Sequence, residues 1–120
     1  MPQTNSSSIE QGTIIVANVM FSDQSGIKPR PALVVSNSGY NKKYLDIVAL
    51  KVTSAKESPF PYNVDFSQND LILGLIKKES TAMADFPMTL EKSQIIEVIA
   101  RISKGKLLEV KKKMRELYGI

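Results

Sequence analysis

The 120-residue chain contains no cysteine, no histidine and no tryptophan. Without cysteine there is no disulfide, no thiolate zinc site and no cysteine nucleophile. Without histidine the usual acid–base group at neutral pH is missing, and so is the commonest metal ligand. Any chemistry must therefore come from Arg, Lys, Asp, Glu, Ser, Thr or Tyr. Long apolar runs are lacking too, since none approaches the roughly 18 residues that span a bilayer. The opening Met1-Pro2-Gln3-Thr4-Asn5-Ser6-Ser7-Ser8 has neither a basic region nor an apolar stretch, so it does not read as a signal peptide. These absences predict a soluble cytoplasmic protein without a membrane segment.

What is present suits one compact domain. The chain is 42% hydrophobic and 23% charged, the mix of an ordinary globular protein, and its length allows a single core. The reading divides it into a disordered polar leader, residues 1–11, and one domain, residues 12–120. Sixteen Lys and Arg against twelve Asp and Glu leave a net charge of +4. That excess favours a polyanionic or acidic partner, although a merely basic surface would give it as well.

Apolar, β-branched segments at Thr13–Phe21, Ala32–Ser36 and Leu45–Thr53 read as strands. Tyr62–Phe66 alternates as a half-buried strand does, Leu71–Ile76 and Ser80–Ala84 are short apolar pieces, and Gln94–Ile102 is a last strand. Asn37–Tyr44 is expected to be a polar loop. In the tail the period changes: Leu107, Val110, Met114 and Leu117 recur at three- and four-residue spacing, with Ser103 as N-cap and Gly119 as stop. The sum is a small, mainly β, antiparallel barrel closed by a C-terminal helix.

Three segments could carry chemistry. From Phe21 to Ser36 an acidic turn with Asp23 and Gln24, a glycine and the cations Lys28 and Arg30 precede a buried strand. Pro29 and Pro31 hold the backbone around Arg30 extended. A phosphate could be gripped there; from spacing alone, a surface loop with Arg30 paired to Asp23 is the simpler reading. Lys51-Val52-Thr53-Ser54 sets two hydroxyls at a strand exit, where they could donate to a phosphate oxygen or simply be good strand residues. Ser80 to Thr89 includes Asp85, read as ending an apolar strand, and Phe86, a candidate for base stacking or for the core. No carboxylate cluster has the character of a magnesium site, so neither a metal nor another cofactor is expected.

The stretch Ser22-Asp23-Gln24-Ser25-Gly26-Ile27-Lys28-Pro29-Arg30-Pro31-Ala32-Leu33-Val34-Val35-Ser36 closely resembles the MazF/PemK family of toxins. The resemblance continues, in order, through Val52-Thr53-Ser54, Gly74–Ser80, Thr89-Leu90-Glu91-Lys92-Ser93 and Arg101-Ile102-Ser103. It implies an SH3-like barrel of the CcdB/PemK toxin type, a homodimer, and metal-independent cleavage of single-stranded RNA. It further implies a dedicated acidic antitoxin. By position, Arg30 and Thr53 match the family's catalytic arginine and threonine, and Asp85 the acidic residue of its RNA groove; Asp85, or Asp23 from the loop, is the expected catalytic base for the 2′-hydroxyl proton. Lys28, Lys51, Lys56 and Lys77 would track the RNA backbone, with Asp23, Gln24, Ser54, Ser80 and Phe86 beside them. Met20, Met83 and Phe86 depart from the family pattern. A CcdB-like toxin that binds DNA gyrase, or a non-catalytic RNA-binding barrel, are the alternatives.

Overall fold

The computed structural model describes residues 9–20, 26–54 and 60–120. Seven strands form one antiparallel sheet: β1 (Thr13–Met20), β2 (Ile27–Val34), β3 (Asp46–Thr53), β4 (Asn63–Phe66), β5 (Leu71–Gly74), β6 (Ser80–Glu91) and β7 (Ile95–Ile102). A short helix α1 (Ser38–Lys43) links β2 to β3, and α2 (Lys104–Tyr118) ends the chain. The sheet order is β4-β6-β3-β2-β1-β7-β5.

This sheet curls. Val64 and Phe66 from β4 share one apolar cluster with Ala100 and Ile102 from β7, near the opposite end of the order. Curling of that kind follows from the right-handed twist of long strands. The barrel stays open between β4 and β5, which are the two edges. Helix α2 closes the cluster with Val110, flanked by Leu107, Met114 and Leu117, the four residues picked out by helical spacing. Ser103 caps the helix by accepting from the Lys106 amide at 3.2 Å, and Gly119 ends it at φ 69°. A second cluster lies on the other face of β1, β2 and β3, built from Ile15, Ala17, Val19, Ala32, Val34, Ile47 and Ala49.

Four local features differ from expectation. β2 begins at Ile27, so the Pro29–Pro31 segment is strand rather than loop, with Pro29 opposite Asn18 and Pro31 opposite Val16. Proline is tolerated because β3 pairs with β2 only from Ala32 onward, leaving that side of the strand without a ladder to break. The expected loop at 37–44 holds α1, started by Asn37, whose side chain accepts from the Tyr40 amide at 2.7 Å. β6 runs twelve residues, well past Ala84. Finally, Ile9 is buried and its carbonyl accepts from Asn41 Nδ2 at 3.1 Å, so packed chain begins ahead of Gly12.

Candidate functional site

Strand register decides which polar side chains meet. Ala32 lies opposite Lys51 and Val34 opposite Ala49. Arg30, two residues before Ala32, and Thr53, two residues after Lys51, lie beyond the last pair of that ladder and by alternation share its face. Thr53 is paired directly with Thr81, and Thr81 with Asp65. Residues directly opposed across antiparallel strands project from the same face. Thr53, Thr81 and Asp65 therefore form one row across β3, β6 and β4, on the face that Arg30 of β2 shares. Thr81 Oγ1 donates to Asp65 Oδ1 at 2.7 Å. Arg30 and Thr53 are half-buried, Thr81 is buried and Asp65 is exposed.

The row occupies the face that carries Ala17, Ala32 and Ala49, because Arg30 is opposite Ala17 and strand residues alternate. These three alanines are buried in the second apolar cluster, so the polar row lies at its border. Lys28, exposed and two residues before Arg30, projects from the same face. Lys51 joins it two residues before Thr53, and its Nζ lies 4.8 Å from the centre of the Phe86 ring. That cation–π contact joins two of the expected RNA-binding residues.

Between Ala82, opposite Val52, and Pro87, opposite Leu50, β6 bulges: Met83, Ala84, Asp85 and Phe86 face the single residue Lys51. Asp85 thus sits exposed within a bulge in mid-strand rather than at a strand end. Bulges re-aim side chains, which a regular ladder cannot do. The bulge is tied at Ala84, whose carbonyl accepts from the Tyr118 hydroxyl at 2.8 Å and whose amide donates to the Tyr62 carbonyl at 3.2 Å.

The remaining expected residues fall elsewhere. Ser54, Lys77 and Ser80 line a cavity of about 590 Å³ with Pro31, Val52 and Glu97. Pro31 and Val52 alternate with Arg30 and Thr53, so this cavity opens on the other face of the sheet. Ser80 Oγ donates to the Lys78 carbonyl at 3.1 Å. Asp23, Gln24 and Lys56 lie outside the described residues. Among the described residues no group of three Asp or Glu could hold a metal ion. Sequence reasoning missed Thr81 and Asp65. The alternation in Asn63-Val64-Asp65-Phe66 marks Asp65 as outward-facing, but nothing in the sequence shows that β4 reaches Thr53 through β6.

The architecture is that of a small, curled antiparallel sheet closed by one helix, with a polar row across its second face. A family model described as the PemK-like, MazF-like toxin of type II toxin–antitoxin systems matches residues 10–118, and the chain belongs to that family. Comparison with curated proteins finds no match. Among solved structures, a mycobacterial endoribonuclease in complex with its cognate antitoxin superimposes with a TM-score of 0.76 at 18% identity, covering 94% of this chain and 97% of that one. The MazE–MazF complex from Deinococcus radiodurans (Form-III) gives 0.75 at 26% identity, with 93% and 97% covered. MazF alone from the same organism (Form-I) gives 0.71 at 28% identity, with the same coverage.

Proposed function

We propose that this toxin is a metal-independent, sequence-specific endoribonuclease that cleaves single-stranded RNA in the cytoplasm. The observation that supports the reading is that Arg30 and Thr53 share one face of the sheet, by alternation from the Ala32–Lys51 pair. RNA brings its own nucleophile, the 2′-hydroxyl, so the protein has only to align it, stabilise charge and move protons. Attack of O2′ on phosphorus breaks the P–O5′ bond and leaves a 2′,3′-cyclic phosphate and a 5′-hydroxyl. Arg30 grips two phosphate oxygens with its planar fork and stabilises the charge that develops on them. The Thr53 hydroxyl donates to the same phosphate. Lys28 and Lys51 hold the strand to either side, and Phe86 with Asp85 on the β6 bulge contacts a neighbouring nucleotide. Splayed, unstacked bases are what such a face can read, which is why the substrate is single-stranded. The protein acts as a homodimer, one copy offering only half of a groove. An acidic antitoxin silences it by laying carboxylates where RNA phosphates would lie.

The test is incubation of purified protein with single-stranded RNA in EDTA, beside Arg30→Ala and Thr53→Ala. Wild type is expected to generate 2′,3′-cyclic phosphate ends. Arg30→Ala should be slower by roughly 100- to 1000-fold, the usual cost of removing a charge-stabilising donor. Intact RNA with folded wild type, or equal cleavage by both variants, overturns the reading.

A further inference from the structure

The row that starts at Thr53 ends at a carboxylate, on the face that Arg30 shares. Thr53 is paired with Thr81, and Thr81 with Asp65. Asp65 is exposed on the face that carries the guanidinium, while its neighbours Val64 and Phe66 point the other way into the core. Its carboxylate does not swing freely: Oδ1 accepts from Thr81 Oγ1 at 2.7 Å. The strand beneath it is tied down as well, because Lys106 Nζ of α2 donates to the Asp65 carbonyl at 3.0 Å. Asp85, by contrast, extends from a bulge, with no described contact to the row.

Neighbouring strands lie about 4.8 Å apart, so the backbones of Thr53 and Asp65 are separated by roughly 10 Å, two strand spacings. One ribose with its 3′-phosphate fills such a gap once side chains reach into it from both ends. The second carboxylate oxygen of Asp65, the one not held by Thr81, is the acceptor at the far end.

We infer that Asp65 is the general base of the cleavage proposed above and that Thr81 is its positioning residue; this rests on the ribonuclease reading. With the phosphate on Arg30 and Thr53, the 2′-hydroxyl gives its proton to Asp65 as O2′ bonds to phosphorus. The P–O5′ bond breaks, the 5′-oxygen takes a proton from water, and Asp65 returns its proton to solvent. Base, orienting hydroxyl and charge-stabilising cation share one face of the sheet, the arrangement that general-base catalysis needs.

The experiment compares Asp65→Asn, Asp65→Glu, Thr81→Val and Asp85→Asn in steady-state RNA cleavage. A pH–rate profile and binding of an uncleavable 2′-deoxy analogue accompany each. Asp65→Asn is expected to lower kcat by 100-fold or more, the usual contribution of a positioned base. KM and analogue affinity should stay as in wild type, and the acid limb of the pH profile should disappear. Asp65→Glu restores part of the rate; Thr81→Val lowers kcat without changing analogue affinity. Wild-type kcat in Asp65→Asn, a loss that lies wholly in KM, or loss of the acid limb in Asp85→Asn instead overturns the inference while leaving the nuclease reading intact. RNA left whole by wild type removes both.

Discussion

Asn41 is fully buried, and its side chain is wholly engaged. Its Nδ2 donates to the carbonyls of Ile9 at 3.1 Å and Ser36 at 2.9 Å, while its Oδ1 accepts from the Ser36 hydroxyl. The Val48 amide donates to that same hydroxyl at 3.0 Å. One amide thus joins the first described residue, the exit of β2 and the middle of β3. Replacing it leaves buried acceptors without a donor, which costs more than the bonds themselves contribute. Asn41→Ala is expected to lose about 1–3 kcal/mol in urea unfolding; an unchanged midpoint would show that water substitutes for the amide. In the sequence Asn41 looks like one more polar residue of a lysine-rich loop. Its burial depends on Ile9, 32 residues away along the chain, so no local pattern could disclose it.

At the scale of elements, periodicity located what was regular. The stripe of Leu107, Val110, Met114 and Leu117 marks α2, and both of its ends are set by side chains or backbone angles that local chemistry dictates. Ser103→Ala should cost about 1 kcal/mol, the usual value of an N-cap, read as a lowered unfolding midpoint with unchanged cooperativity. A loss below a few tenths would mean that packing alone holds the helix start. Elements whose local signals conflict differ from the expectation. β2 extends back through two prolines because its partner on that side is absent, a fact of sheet order and not of composition. The Asp85 bulge is likewise a product of pairing: Leu50 and Val52 are two residues apart, yet their β6 partners Pro87 and Ala82 are five apart. A strand seen alone carries no sign of that mismatch.

For the molecule as a whole, the net charge is not carried by the strands of the site. α2 carries Lys104, Lys106, Lys111, Lys112, Lys113 and Arg115 against Glu109 and Glu116, a net of +4. The full chain is also +4, so the remaining residues balance, ten basic against ten acidic. The excess that suggested a polyanionic partner therefore lies on the closing helix, and the proposed RNA face depends on Arg30, Lys28 and Lys51 in particular rather than on overall charge. At this scale too belongs the proposed dimer: sedimentation is expected to return twice the 13.3 kDa protomer mass at working concentrations. A single 13.3 kDa species there would refute the shared groove.

The sequence by itself determined the class of elements, the C-terminal helix with its caps, the family, and the arginine and threonine worth testing. Those are local properties, written in side-chain period, turn residues and motif order. Only the tertiary structure decided that Ser54, Lys77 and Ser80 lie on the face away from Arg30, and that Thr81 and Asp65 share its face. Shifting a strand by one residue turns every side chain to the other face, and it is pairing between distant segments that fixes the register.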